Sequence, residues 1–370
     1  AGVLAIVLLL MVAATGVVVG LGRVLRPTAS ATGTRAGNAP MAAGPSAAAP
    51  GSGGGSATLD SNSIAARVDR FVVDINTLLG FQSGRAAGTG IVISGSGLVL
   101  TNNHVVAGST SISVTEVSNG RTFTGTVVGY NRTEDVAVVQ MRNASGLPTA
   151  SIGDSSRVRV GDAVLGIGNA GGAGGTPAVA PGTVSALNQS ITATDEGTGS
   201  SEQLTGLIQV DANIQAGDSG GPLVNNTGQV IGIDTAASVG FRYQASGGTG
   251  FAIPINQALD IAHQIIAGQA SSKIHIGATG FLGVQVGTGD NGGGPGAPVV
   301  GVVSGSPAAA AGLGAGAVIN SVNGQAVTSA NQLTELLDNR HPGDRVRVGW
   351  TDQGGQDHNS SIRLIKGPVG

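Results

Sequence analysis

Residues 207–235 read Leu207-Ile208-Gln209-Val210-Asp211-Ala212-Asn213-Ile214-Gln215-Ala216-Gly217-Asp218-Ser219-Gly220-Gly221-Pro222-Leu223-Val224, then a polar turn, then Gln229-Val230-Ile231-Gly232-Ile233-Asp234-Thr235. Three short apolar and β-branched runs, Leu207–Val210, Pro222–Val224 and Gln229–Thr235, lie between glycine-rich and polar breaks. This is a strand pattern. The same punctuation extends upstream through Val72–Leu79, Thr89–Ser94, Leu98–Asn102, Ser111–Thr115, Thr122–Tyr130, Val136–Met141, Ala163–Ile167 and Gly182–Leu187, and downstream to Gly250–Ile253. Two groups of about six such strands suit two small barrels. Pro254 can open a closing helix, in which Ala258, Leu259, Ile261, Ala262, Ile265 and Ile266 recur at helical spacing. A third unit, residues 277–367, has strands near Phe281–Val286, Val299–Val303, Val318–Val322 and Arg345–Trp350. Its helices are near Pro307–Gly312 and Ala330–Leu337, and Gly287–Pro298 is a glycine-rich loop.

Composition agrees with a mostly β chain. There are 65 glycines in 370 residues, 11% charged residues and 2% aromatic residues. Small and β-branched side chains must fill the core, which favours short strands and tight turns. The net charge is −3 and no Lys/Arg block occurs, which argues against a nucleic-acid partner. With no cysteine, disulfides, zinc-thiolate sites and cysteine nucleophiles are excluded.

Residues 1–26 open with an uncharged apolar stretch to Gly22, followed by Arg23 and Arg26. Twenty-two residues at ~1.5 Å each would span about 33 Å, against a hydrocarbon core of ~30 Å. Two readings stand: a transmembrane anchor, or an export signal with Ala29-Ser30-Ala31 as its cleavage site. Residues 27–57 are Ala, Gly, Ser and Pro, which cannot bury enough apolar area to offset ordering entropy, so they read as a disordered linker.

The strongest chemical signal is Gly217-Asp218-Ser219-Gly220-Gly221-Pro222. A serine hydroxyl needs an adjacent base to become a nucleophile, and backbone N–H groups aimed at the developing oxyanion. Glycines permit the tight turn that points such donors inward, and Gly217 and Ser219 would supply them. A purely structural Gly/Ser turn is the plainer alternative. The second signal is Leu100-Thr101-Asn102-Asn103-His104-Val105-Val106. Of the five histidines, His104 alone falls in the first group of strands, where a turn into a short helix would expose it as a general base. The third is Asn131-Arg132-Thr133-Glu134-Asp135-Val136, an acid directly before an apolar strand, placed to hold the histidine in one tautomer. Glu134 competes with Asp135; the latter is preferred because it abuts the strand. In the order His104, Asp135, Ser219, base and acid lie on the first barrel and nucleophile on the second. The site then forms in the cleft between them. The run Gly168–Gly175 lacks the Gly-Lys-Ser/Thr of a phosphate loop and reads as a loop beside that cleft.

Thr101-Asn102-Asn103-His104-Val105, Asp135-Val136-Ala137-Val138 and Gly217-Asp218-Ser219-Gly220-Gly221-Pro222-Leu223 resemble the three active-site blocks of the HtrA family of trypsin-like serine proteases. Gly166-Ile167-Gly168-Asn169, Gly182–Leu187 and Gly250-Phe251-Ala252-Ile253-Pro254 match it as well, so the resemblance covers residues 65–366, closest to the mycobacterial type with one PDZ domain. It implies a chymotrypsin-like double six-stranded barrel over residues 58–272, followed by a PDZ-like α+β domain. It also implies cofactor-free and metal-free hydrolysis of peptide bonds in unfolded or damaged extracytoplasmic proteins, and assembly as a homotrimer. The resemblance places Asn213 at the base of a specificity pocket and Ile233, Asp234 and Thr235 along a wall. Gly280-Phe281-Leu282-Gly283-Val284 resembles the carboxylate-binding loop of PDZ domains. There the N–H groups of Phe281, Leu282 and Gly283 would cradle a peptide C-terminus while the peptide adds a strand. Two rival functions use the same parts: a non-proteolytic holdase or chaperone, and a tethered peptide-binding scaffold.

Overall fold

Six strands, β1 (Val72–Leu79), β2 (Gly84–Val92), β3 (Leu98–Thr101), β4 (Ser111–Glu116), β5 (Thr122–Asn131) and β6 (Val136–Met141), run in the order β5-β4-β1-β2-β3-β6, and β5 pairs with β6 to close the sheet. Six more, β7 (Ala163–Gly168), β8 (Ala178–Thr194), β9 (Ser201–Val210), β10 (Pro222–Asn225), β11 (Val230–Thr235) and β12 (Gly250–Pro254), form a second closed barrel in the order β10-β11-β12-β9-β8-β7. Val, Ile and Leu fill both; Tyr130 is the one aromatic among the largest fully buried side chains. Helix α1 (Ser61–Val68) precedes the first barrel and α2 (Asn103–Val106) interrupts it after β3. Helix α3 (Ile255–Ile266) closes the second barrel and buries Ile255, Ala258, Ile261, Ala262 and Ile265, while Ile266 stays exposed.

This is a computed structural model describing residues 60–81, 84–194, 201–235, 248–287 and 295–370. The expected anchor or signal at 1–26, the linker at 27–57 and most of the loop 287–298 lie outside them. Among the described residues no helix is long and apolar enough to cross a membrane.

After α3, strand β13 (Ile274–Ile276) adds to β5, with Ile274 opposite Asn131. The C-terminal unit then comprises β14 (Gly280–Phe281), β15 (Val284–Val286), β16 (Ala297–Val302), β17 (Val318–Val322), β18 (Gln325–Ala326), β19 (Arg345–Thr351), β20 (Asp357–Arg363) and β21 (Ile365–Lys366), with helices α4 (Pro307–Ala310) and α5 (Ala330–Asp338). Its sheet order is β15-β16-β17-β19-β20, with β18 on β17 and a separate β14–β21 pair. Leu282, Ile319, Val348, Trp350 and Ile362 belong to a core of its own.

Several elements differ from the expectation. The sequence places the second strand at Thr89, but β2 begins at Gly84, because Gly84–Gly88 pair along the whole second half of β1 despite weak intrinsic strand preference. β8 is 17 residues long where six were expected, and it passes through three register shifts against β9. The expected strand Phe281–Val286 is broken by Gly283 at φ +88°.

The C-terminal unit touches the first barrel through named groups. The Arg132 guanidinium donates to Asp338 of α5 at 2.9 Å, His341 Nε2 lies 2.9 Å from the Ile276 carbonyl, and Phe81 stacks on Phe281 at 4.8 Å. The 369 N–H donates to Ser109 and the Gly108 N–H to the Val369 carbonyl, beside α2.

Ile75 is fully buried on β1, which bonds to both β2 and β4. Ile75→Ala is expected to cost about 2–5 kcal/mol through lost burial and the cavity left behind, read from urea-unfolding midpoints.

Candidate active site

Strand β3 buries Val99 and Leu100, and α2 follows at once, burying Asn103, Val105 and Val106 so that His104 faces outward. The His104 side chain is 39% exposed and that of Asp135 5%. Nδ1 of His104 stands 2.8 Å from Asp135 Oδ2, and the His104 backbone N–H donates to Oδ1 at 2.9 Å. One carboxylate therefore fixes both the ring and the chain that carries it. A carboxylate at Nδ1 keeps the proton there, which leaves Nε2 as the basic nitrogen.

Asp135 adopts φ +51°, a left-handed conformation unusual outside glycine. Local bonds hold it: its N–H donates to the Arg132 carbonyl at 3.0 Å, Asn102 Nδ2 donates to its carbonyl at 3.0 Å, and the Glu134 N–H donates to Asn131 Oδ1 at 3.1 Å. Glu134, the competing acid, turns away. Gln257 of α3 donates to its Oε2 at 2.8 Å and the Lys273 ammonium lies 3.6 Å from its Oε1. Of the two acids, the fold brings Asp135 to His104.

Ser219 sits 3% exposed in the turn before β10. Its carbonyl accepts the Thr89 N–H at 2.8 Å. Thr89 Oγ1 donates to the Gly217 carbonyl at 2.7 Å and accepts the Asn169 N–H at 2.9 Å. From the other side, the Gly220 N–H donates to the Asp234 carbonyl and the Asp234 N–H to the Gly221 carbonyl, both at 2.8 Å. The next residue, Thr235, donates its hydroxyl to Asp135 Oδ2 at 3.4 Å. A β-carbon at Gly88 would stand 2.7 Å from Val105 and 3.1 Å from the Ser219 carbonyl, so the chain beside His104 and the chain of Ser219 flank one glycine. Gly217 has φ +98° and Gly220 φ +85°; side chains there would strike the Asn169 carbonyl and the Thr89 carbonyl respectively. Among the described residues no acceptor takes the Gly217 N–H.

The four expected pocket residues do not face one surface. Ile233 and Asp234 are strand neighbours and point to opposite faces. Ile233 is buried in the core shared by the barrels, Asn213 is exposed, and Thr235 is spent on Asp135. Asp234 is fully buried, and neither carboxyl oxygen makes a hydrogen bond among the described residues. Burial lifts its pKa well above the carboxylate range, nearby Asp218 lifts it further, and the Ile167 N–H, close to the carboxyl but outside bonding geometry, eases it only in part. Burial also raises the Asp218 carboxyl, against one N–H from Gln215 at 2.8 Å.

In the C-terminal unit, Leu282 buries its side chain, and Gly283 at φ +88° offers its carbonyl to Val303 N–H at 2.9 Å. β15 is an edge strand, which leaves one side of it open to pairing.

Residues 88–233 match the trypsin-like peptidase domain and residues 280–362 the PDZ domain. The chain is 39% identical over 317 residues to serine protease PepD of Mycobacterium tuberculosis, covering 82% of this chain and 65% of that one. It is 37% identical over 274 residues to the periplasmic pH-dependent serine endoprotease DegQ of Escherichia coli, covering 72% of this chain and 57% of DegQ. The HtrA-type protease AlgW, solved with a tripeptide, is 30% identical over 83% of this chain and 97% of AlgW, at a TM-score of 0.47. The chain carries a trypsin-like peptidase domain followed by a PDZ domain, and the relatives named above are serine proteases. It spans roughly three fifths of the length of these two curated relatives, 65% and 57%.

Within this fold, sequence reasoning missed Thr89 and Asn169. The one signal at Thr89 was its place between two glycines, Gly88 and Gly90, both pressed against neighbouring side chains. Thr89→Val keeps the shape and deletes the hydroxyl, leaving the Gly217 carbonyl and Asn169 N–H without their partner. The expected loss is about 1–3 kcal/mol, measured as a fall in calorimetric unfolding temperature.

Proposed function

We propose that this chain is a serine endopeptidase, with Ser219 as nucleophile, His104 as general base and Asp135 as the residue that orients it. The observation carrying this reading is the 2.8 Å contact between His104 Nδ1 and Asp135 Oδ2, on a helix turn that shares Gly88 with the backbone of Ser219. His104 Nε2 takes the Ser219 proton as the hydroxyl attacks a peptide carbonyl. The N–H groups of Gly217 and Ser219 receive the oxyanion. Gly217's open N–H and the many bonds that fix its turn support that role. His104 then protonates the leaving amine, and water releases the acyl group.

Residues 58–272 form the catalytic domain in this reading, and residues 277–367 recruit peptide C-termini through the backbone of Phe281, Leu282 and Gly283, with β15 as the strand a peptide would extend. Its substrates are unfolded or damaged extracytoplasmic polypeptides. The periplasmic setting named for DegQ supports that location, with residues 1–26 as signal or anchor and a homotrimer as the assembly.

A serine-directed phosphonate and a casein assay test the triad on the chain from residue 58 onward. Wild type is expected to label and cleave. Ser219→Ala should lose labelling and fall by about a million-fold in turnover, the scale of removing a triad serine. Binding of unfolded chains with neither labelling nor cleavage would instead establish a holdase.

A further inference from the structure

Asp234 takes no part in the proton transfer, yet it stands where the two halves of the site are joined. Its backbone bonds to Gly220 and Gly221 in both directions, and Thr235 beside it reaches Asp135. Its carboxyl points into the apolar end of the second barrel. Oδ2 would lie 3.0 Å from a β-carbon at Gly166, in space that Ile214 also fills. Asp218 packs against the alternate residue of β7, with Oδ1 2.8 Å from a β-carbon at Gly168. Positions 166 and 168 share a face of the strand, so both acids enter one dry region. Facing Asp234 are Gly166 and the Ile167 N–H from β7, Ala252 from β12, and Ile214 and Asp218 from the loop before Ser219. Among the described residues Asp218 is the only charged group acting on it, and no cation does.

We propose that Asp234 is a positioning residue that works as the neutral carboxylic acid, and that its ionisation displaces the Ser219 turn and sets an alkaline limit on activity. Two carboxylates cannot both be charged in so little polar surrounding without strong repulsion. Asp218 holds the charge, because the Gln215 N–H donates to it at 2.8 Å; at Asp234 the Ile167 N–H does not reach bonding geometry and offsets little of the burial, so Asp234 holds the proton. When Asp234 loses that proton, the repulsion acts on residue 218, covalently next to Ser219, and on residue 234, bonded to the two glycines after it. The donors at Gly217 and Ser219 then lose their alignment. The proposal rests on the endopeptidase reading.

The test is the pH profile of kcat/KM on a peptide substrate. Wild type is expected to lose about tenfold per pH unit above the Asp234 ionisation. Asp234→Asn should lack that limb, whatever its absolute rate. Asp218→Asn should move the limb to lower pH, because removing the neighbouring charge lets Asp234 ionise sooner; a merely structural aspartate would give neither change. If Asp234→Asn fails to fold, infrared spectra of wild type with isotope-labelled aspartate decide instead. A protonated-carboxyl band should be present at neutral pH and vanish across the same range as activity. An unchanged limb in Asp234→Asn, or no such band at neutral pH, overturns the role of Asp234 while phosphonate labelling of wild type leaves the triad standing. A wild type that neither labels nor cleaves overturns the endopeptidase reading and this proposal together.

Discussion

Thr89 belongs to the first barrel, yet three of its polar contacts reach the second: its N–H to the Ser219 carbonyl, its hydroxyl to the Gly217 carbonyl, and that hydroxyl again from the Asn169 N–H. Its own carbonyl is held by the Thr101 hydroxyl at 2.7 Å, three residues before His104. The barrels also share apolar packing, with Leu165, Ile167 and Ile233 in the same core as Ile75 and Val138. Burial of apolar area is non-directional and cannot fix a groove to the ~0.5 Å that catalysis demands. Short, buried, directional bonds can. The Thr89 cluster, with bonds of 2.7 to 2.9 Å, therefore fixes the Ser219 turn of the second barrel against the first, and the 3.4 Å Thr235–Asp135 contact adds a weaker tie on the other side.

The same crossing explains why glycine is required at two particular positions rather than merely tolerated. The Ser219 turn threads so close to Thr89, Thr101 and Asn169 that side chains at Gly217 and Gly220 would meet backbone or buried hydroxyl, which cannot retreat. Both residues also need positive φ. Asp135 accepts a similar backbone cost without being glycine, of the order of 1–3 kcal/mol for such conformations. The cost is tolerated because the surrounding bonds over-determine it: Arg132, Asn102, His104 and Thr235 all bind its carbonyl, N–H or carboxylate.

Where strands carry β-branched residues at full burial, the sequence alone located them; β1, β6 and β17 begin and end where their apolar runs do. The glycine-alanine half of β2 and the polar strand β20 were invisible, since pairing with β1 and β19 supplies what their own residues do not. His104 and Asp135 were legible because position beside a strand is a local property. What draws Glu134 away from His104 is α3 and Lys273, which lie more than a hundred residues downstream. The side chains of the expected pocket wall part for a reason already written in the chain: consecutive residues of an extended strand point to opposite faces. Thr89 had no comparable local mark, because its role is made entirely by residues distant in sequence.

The loop that presents Asp135 is also where the C-terminal unit attaches. Arg132 pairs with Asp338 while both are about a quarter exposed, at 26% and 22%, whereas the Arg157–Asp154 pair is largely in solvent. Exposed pairs contribute little, and a half-buried, hydrogen-bonded one is harder to replace with water. Beside it, His275 lies stacked between Tyr130 and His341, and β13 pairs its Ile274 with Asn131, the residue that begins the acid loop. From Asn131 to Asp135, each end of a five-residue segment is thus committed to a different neighbour: one to the strand and helix of the C-terminal side, the other to His104. So short a segment with a left-handed residue at its end has little slack. The ion pair that holds α5 and the carboxylate that bonds His104 thus stand three residues apart on one short loop.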